Sequence, residues 1–162
     1  MKYRRLRQDE LDELKDNFVR FLAAQSITGD DWIHLKTVNP DRAEALIEQF
    51  SDVVIEKTLH NTEYLEYKEK QDMKMFHCQT DKIVMFGLIA EGQTDLDFTA
   101  DEDPQAMMQK LQTSGANLKV YTAQKAYNEK GRLAEIFRMI ESGCRISPDG
   151  AMFKTLKGLT ER

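Results

Sequence analysis

The stretch Tyr64–Ala90, YLEYKEKQDMKMFHCQTDKIVMFGLIA, decides the fold. It contains three runs rich in β-branched and aromatic residues, Tyr64–Lys70, Met73–Thr80 and Lys82–Ala90, which are separated by short polar connections. Such runs are typical of β-strands, and short connections favour antiparallel neighbours. The third run is almost wholly apolar, as expected of a strand that is covered on both faces. The stretch therefore predicts an antiparallel meander whose third strand is either central in the sheet or covered by helices.

Upstream of the meander, the first sixty residues are predicted to be helical. Apolar residues recur every three or four positions over residues 8–25, which is the period of an amphipathic helix. Thr28 is followed three residues later by Asp31, an acidic relative of the capping box that predicts a second helix start. The pair Asn39-Pro40 predicts a third start, because Pro is well tolerated at the first helical position.

Downstream, the pattern predicts two or three more helices and one more strand. A helix is expected from Pro104 to about Gly115, then a short fourth strand near Val120, and a helix over residues 128–142 that ends at Gly143. The pair Ser147-Pro148 predicts the start of a last helix. The predicted fold class is α+β, with N-terminal helices packed on a three- to four-stranded antiparallel sheet and C-terminal helices, in one domain over residues 1–162.

Length and composition indicate a globular protein. Of 162 residues, 41% are hydrophobic and 31% charged, enough for one real core. No apolar stretch follows the basic N-terminus, and the longest apolar run, Ile83–Ala90, is far shorter than a bilayer-spanning helix. Cys78 and Cys144 have no nearby partner in the sequence and are expected to be thiols. We therefore expect a cytoplasmic protein without a secretory signal or a membrane span.

The charge is unevenly distributed along the chain. The net charge is −5, made up of −10 over residues 1–103 and +5 over residues 104–162. Nucleic-acid binding through the basic C-terminal part is a possible function, although no aromatic-basic interleaving or known module organises its cations, and the overall charge argues against it. The basic residues considered for it are Lys110, Lys119, Lys125, Lys130, Arg132, Arg138, Arg145, Lys154 and Lys157.

Metal or nucleophile chemistry has weak support in the sequence. Adjacent strand residues point to opposite faces, so His77 and Cys78 do not easily share one metal. The connection 91–103 carries six carboxylates and no basic residue, but its spacing is not that of an EF-hand. A solvated connection whose Asp103 caps the Pro104 helix is favoured over an oxygen-ligand site for Mg²⁺ or Ca²⁺.

The leading functional hypothesis is a non-enzymatic intracellular protein–protein interaction module that forms a homo-oligomer and needs no cofactor. Glycine patterns for phosphate, a serine-nucleophile elbow and paired-carboxylate signatures are missing from the sequence, and several apolar helical stripes need cover. Trp32, His77, Asp95 and Asp97 are interpreted as candidate binding residues, because each has less evident structural reason than its neighbours. No residue is assigned as catalytic or as a metal ligand. The alternative is a divalent-metal-dependent hydrolase or nuclease that uses the 91–103 carboxylates.

Several segments carry a resemblance to a known family. They are Met1–Leu6, Asn17–Leu22, Ile27–Trp32, Phe50–Val54, Ser142–Cys144 and Phe153–Leu156. In these segments the chain resembles an uncharacterised bacterial family of unknown function, seen mainly in the Bacteroidetes, and the similarity covers most of the chain. The resemblance implies a bacterial cytoplasmic context and carries over no catalytic or binding residue.

Overall fold

A computed structural model describes residues 1–92, 95–100 and 103–161. Over these residues the protein is α+β, with seven helices and one five-stranded antiparallel sheet, and helices lie at both ends of the chain. The predicted fold class is confirmed, with one strand more than the upper number expected. The chain divides into two compact units, Met1–His60 and Asn61–Arg162. That the whole chain forms one domain stays a prediction.

The first unit is built from four helices. They are α1 (Gln8–Glu13), α2 (Lys15–Ala24), α3 (Gly29–Val38) and α4 (Pro40–Asn61), whose last residue already belongs to the second unit. The prediction of a single helix over residues 8–25 is wrong in one respect. The chain leaves the helical conformation at Leu14 (φ −103°, ψ 19°), so two helices, α1 and α2, occupy this segment. The apolar period continues through both helices, so the pattern alone does not reveal the break.

The predicted helix starts in this unit are confirmed. Thr28 Oγ1 accepts a hydrogen bond from the Asp31 backbone N–H at 3.1 Å, and Asp31 returns the contact by accepting from the Thr28 N–H at 3.0 Å. This capping box satisfies two donors at the first turn of α3. Asn39 accepts from the Arg42 N–H at 3.2 Å and so caps α4.

Aromatic packing joins these helices. Phe18 of α2 contacts Trp32 of α3 and Phe50 of α4, with ring centroids 5.0 Å apart in each pair. The N-terminal segment is attached to α4, since Leu6 donates its backbone N–H to the fully buried Ser51 hydroxyl at 3.0 Å. The unit therefore has an aromatic core that spans three helices.

The second unit contains the sheet. Its elements are β1 (Tyr64–Lys68), β2 (Asp72–Cys78), β3 (Lys82–Glu91), α5 (Pro104–Thr113), β4 (Asn117–Ala126), α6 (Arg132–Glu141), β5 (Arg145–Ser147) and α7 (Ala151–Thr160). The strand order is β4-β3-β2-β1-β5, and every neighbouring pair is antiparallel. The predicted meander is confirmed, with β3 inside the sheet. The fourth strand is ten residues long rather than short, and the three-residue β5 was not predicted.

The two faces of the sheet are covered by different helices. On one face, here called the α7 face, α5 and α7 pack over buried side chains of β2 and β3 such as Met73, Met75 and Leu88. The other, here called the α6 face, carries the intervening residues, including Phe76, Ile83 and Met85. The chain crosses this face as α6, because β4 and β5 lie at opposite edges of the sheet. Within the described residues no helix is both long and apolar enough to span a membrane.

Candidate functional site

The outer edge of β4 exposes backbone hydrogen-bonding groups. In an antiparallel sheet each residue directs its N–H and C=O to one side, and successive residues alternate. Ala90 donates its N–H toward β2, to the Gln71 carbonyl at 2.8 Å, so the even-numbered residues of β3 face β2 and its odd-numbered residues face β4. Met85 lies opposite Ala123, so the odd-numbered residues of β4 face β3.

It follows that the even-numbered residues of β4 direct their backbone groups away from the sheet. The Thr122 hydroxyl donates to the Met85 carbonyl of β3 at 2.9 Å. The outward residues of the inner part of the strand are Leu118, Val120, Thr122 and Gln124. Among the hydrogen bonds of residues 1–92, 95–100 and 103–161, no other strand pairs with this edge. The opposite edge of the sheet is only the three residues of β5.

A tyrosine fixes β4 to the rest of the sheet. The Tyr121 phenol donates to Asp72 Oδ1 of β2 at 2.5 Å, across the intervening strand β3. Its ring lies directly over Gly87, where a Cβ would come within 2.0 Å of Tyr121 Cζ. A Cβ at position 87 would therefore displace the Tyr121 ring. Burial raises the pKa of the Tyr121 phenol, and the hydrogen bond to the Asp72 carboxylate raises it further, so the phenol stays protonated.

A cavity of about 400 Å³ opens beside β4, between the α6 face and α6. It is lined by Tyr67, Lys74, Phe76, Ile83, Met85, Ala123, Gln124, Lys125, Glu135, Arg138, Met139, Ser142 and Cys144. Most of its surface is apolar, supplied by residues such as Phe76, Met85 and Met139. Since β4 contributes three of the lining residues, the open edge and the cavity form one continuous region.

Four charged side chains line this cavity: the cations Lys74, Lys125 and Arg138, and the carboxylate Glu135. The Glu135 side chain is only 5% exposed, and its Oε1 accepts from Lys125 Nζ and from Arg138 Nη2, both at 2.6 Å. The hydrogen bond from Arg138, then that from Lys125, lowers the pKa of Glu135 to about 2, so the carboxylate is ionised at neutral pH. The third cation, Lys74, lies 6.0 Å from the centre of the Tyr67 ring. No ion pair of Lys74 occurs within the described part of the chain.

The start of α6 is held firmly to the sheet. The Arg132 guanidinium donates to the backbone carbonyls of Thr62, Cys78 and Gln79, the last two at 3.1 and 3.3 Å. The Tyr127 hydroxyl also donates to the Gln79 carbonyl, at 2.7 Å. These bonds fix the helix that supplies Glu135 to the cavity.

The two cysteines are not activated nucleophiles. Both are free thiols. Burial raises the pKa of Cys78 to about 11. Burial also raises the pKa of Cys144 above its ordinary value, despite the opposing effect of Arg138 and Lys74. Both side chains are therefore neutral thiols at pH 7, and the half-buried Cys144 is a polarisable part of the cavity wall.

The predicted residues Trp32 and His77 lie in aromatic packing. Trp32 packs edge-on against Phe18 in the first unit. His77 lies on the α7 face, stacked on Tyr64 with centroids 4.6 Å apart, and its Nε2 is 3.2 Å from a carboxylate oxygen of Glu63. Neither residue lines the cavity. Their packing supplies a structural reason for each, and their role in binding stays a prediction.

The acidic connection is anchored by its apolar residues. Exposed and buried residues alternate here. Leu96 and Phe98 are buried in the core of the α7 face, whereas Asp95 and Asp97, each of which precedes one of them, are exposed. Asp97 accepts from the Thr99 backbone N–H at 2.9 Å and from its hydroxyl, so it organises a local turn.

The structure also shows how this connection leads into α5. Asp103 caps the helix, as predicted, by accepting from the Ala106 N–H at 2.7 Å. Asp101 and Glu102 lie outside the described residues. Among the described ones no group of three metal-ligating side chains comes together, and the metal-dependent enzyme stays a prediction.

Sequence reasoning did not identify the cavity. In the sequence, Lys125 and Arg138 are only two members of a dispersed basic set. One signal was present in β2, where Lys74, Phe76 and Cys78 alternate with buried methionines and so share the face opposite the main core. The missing information was that α6 crosses that face, which places Arg138 and Lys74 on the wall of one cavity.

Comparison with known proteins places the chain in a family. No curated protein and no solved structure matched it. A family model, described as a family of unknown function (DUF6495), matches residues 1–161. The resemblance to a family of unknown function is thereby confirmed over nearly the whole sequence. The chain belongs to the DUF6495 family.

Proposed function

We propose that this chain is a non-enzymatic protein–protein interaction module that forms a homo-oligomer by pairing β4 with β4 of a second copy. The observation that carries the proposal is the open edge of β4, with four inner residues whose backbone groups point outward. Exposed edges of this length are templates for strand addition, which natural proteins usually cover or shorten. The bacterial cytoplasmic setting of the proposal is supported by the family resemblance and by the two free thiols.

The lysines of β4 do not prevent this pairing. Edge lysines normally discourage association, because their charge would be desolvated or opposed by a like charge. Here Lys119 lies 3.7 Å from a carboxylate oxygen of Glu91, and Lys125 lies 2.6 Å from one of Glu135. Both lysines are thus paired within the same chain, and the repulsion that remains between copies depends on whether two lysines lie directly opposite each other. The strand can approach its copy without two uncompensated cations.

Charge also selects the register of the pair. A twofold axis at Thr122 would set Lys119 directly opposite the partner's Lys125, twice, which destabilises a sheet. An axis at Tyr121 sets Lys119 opposite Ala123 instead and pairs residues 117–125 of each strand. The outward groups then form about eight backbone hydrogen bonds between the copies. We therefore propose the register centred on Tyr121.

A proline at an outward position tests the proposal without breaking the monomer. The Gln124 N–H points away from β3, so Gln124→Pro removes a donor that only a second copy would use. We expect native mass spectrometry and light scattering to give a dimer for the wild-type protein and a monomer for Gln124→Pro. Circular dichroism should show equal strand content in both. The matched control, Gln124→Thr, keeps the N–H and should remain dimeric.

Two results would contradict the proposal. One is a wild-type protein that is monomeric at micromolar concentration, where a paired edge of this length should hold. The other is a Gln124→Pro variant that associates as strongly as the wild type, which would place any interface elsewhere. Introducing Lys119→Cys together with Ala123→Cys then checks the register, because opposed thiols in a non-hydrogen-bonded pair should form interchain disulfides under mild oxidation.

A further inference from the structure

The cavity beneath α6 has the dimensions and lining of a small-molecule site. Its volume of about 400 Å³ falls in the range of ligand pockets, which are mostly apolar and contain a few polar groups that orient the ligand. Phe76, Ile83, Met85 and Met139 provide an apolar wall. The charged groups of the lining are three cations and Glu135, and Tyr67, Gln124 and Ser142 add neutral polar groups.

The charges of the cavity favour an anion. Glu135 binds both Lys125 and Arg138, so this group of three carries one net positive charge. Lys74, on the neighbouring part of the wall, adds a second charge that no ion pair compensates among the described residues. The negative charge of Glu135 is already counted in this sum, and its oxygens accept from both cations. Its effect is to hold the two cations side by side at the cavity.

From this combination we propose that the cavity binds a small organic carboxylate with an apolar body, such as a medium-chain fatty acid or an aromatic acid. The apolar body lies against Phe76, Met85 and Met139, and the carboxylate lies between Lys74 and Arg138. Charge-assisted hydrogen bonds to these cations orient the ligand, and burial of its body contributes most of the affinity. Binding at this site does not require the pairing of β4, although β4 contributes three of the lining residues.

Two probes of equal chain length separate the charge contribution from the apolar one. Octanoate and 1-octanol are titrated into the full-length protein, and binding is followed by isothermal calorimetry and by two-dimensional NMR. We expect octanoate to bind at least about ten-fold more tightly than octanol. Shifts of amide signals should centre on residues of β2, β4 and α6 that line the cavity.

Substitutions then test the assignment of each part. Lys74→Gln should weaken octanoate binding about ten-fold and leave octanol binding unchanged. Lys157→Gln, which removes an exposed lysine of α7 on the opposite face of the sheet, is the matched control and should change neither. Ala123→Phe fills the cavity from an exposed strand position and should abolish the binding of both probes. Ala126→Phe, on the same strand away from the cavity, should not.

Thiol labelling provides a second readout. Cys144 lines the cavity and is half-buried, whereas Cys78 is buried, so iodoacetamide should modify Cys144 first. Octanoate should slow this reaction in the wild-type protein and have no effect in Ala123→Phe. The proposal is overturned if octanoate and octanol bind equally, if neither binds at millimolar concentration, or if Lys74→Gln keeps the full preference for the carboxylate.

Discussion

Replacing Gly87 by alanine should detach β4 from the sheet locally. The new Cβ would lie 2.0, 2.3 and 2.5 Å from three ring carbons of Tyr121, well inside any permitted contact, so the ring has to leave its place. Overpacking of this kind costs about 1–3 kcal/mol. Displacing the ring also breaks its hydrogen bond to the Asp72 carboxylate, which contributes about 1.5–3 kcal/mol. We expect Gly87→Ala to lower the free energy of unfolding by about 2.5–6 kcal/mol.

The assay must report on the second unit. The single tryptophan, Trp32, lies in the first unit, so its fluorescence does not report directly on the sheet. Hydrogen exchange of the β3 and β4 amides, combined with urea denaturation followed by circular dichroism, measures the loss directly. Gly158→Ala is the matched control, because nothing lies within 4 Å of the added Cβ in α7. This control should stabilise the protein by up to about 1 kcal/mol.

A double-mutant cycle with Tyr121→Ala identifies the cause. In the Tyr121→Ala background, Gly87→Ala should leave the free energy of unfolding unchanged or raise it by about 0.5–1 kcal/mol. The reason is that alanine loses less backbone freedom than glycine on folding. Strict additivity of the two substitutions would refute the steric argument. A stability of Gly87→Ala within about 0.5 kcal/mol of the wild type would refute it as well.

Three further predictions concern the charged cluster and the two anchoring contacts. Because the folded-state pKa of Glu135 is lowered to about 2, its stabilisation is present above about pH 4.5 and is lost as the pH falls toward 2. Glu135→Gln should therefore be about 2 kcal/mol less stable than the wild type at pH 7 and nearly equal at pH 2 in urea titrations. Arg132→Met should lower the free energy of unfolding by about 3 kcal/mol in the same assay, because three carbonyls lose a charged donor. Arg132→Lys should restore only part of that stability. Thr28→Ala should lower stability by about 1 kcal/mol in a thermal melt followed by Trp32 fluorescence, whereas Thr28→Ser should not.

The strands with an apolar pattern could be predicted from the sequence, and those without one could not. The runs that form β1, β2 and β3 bury side chains on the α7 face, so their composition marks them clearly. The end of β4 is different: residues 122–126 are exposed and include polar side chains, so the strand extends beyond its apolar part without a signal. Three residues of β5 are too few for any pattern to be distinguished.

The candidate site was harder to predict than the fold for a different reason. Lys74 and Arg138 become neighbours of one cavity only because α6 crosses the sheet, and nothing near either residue in the sequence records that crossing. The acidic connection attracted attention because its charges are contiguous. In the structure the described part of that connection is organised by Leu96 and Phe98, which anchor it in the core. Contiguity in sequence was thus a poor guide to convergence in space.

The position of β5 has a consequence for protein synthesis. Tyr64 of β1 pairs with Ser147 of β5, a separation of about 80 residues, so this contact closes the longest loop in the sheet. During translation the first three strands leave the ribosome early, and the free side of β1 has no partner until residue 147 has emerged. The nascent chain therefore carries an uncovered strand at each margin of its sheet for much of its synthesis. The short β5 is the segment whose arrival ends that exposure on one side, after which α7 can complete the opposite layer.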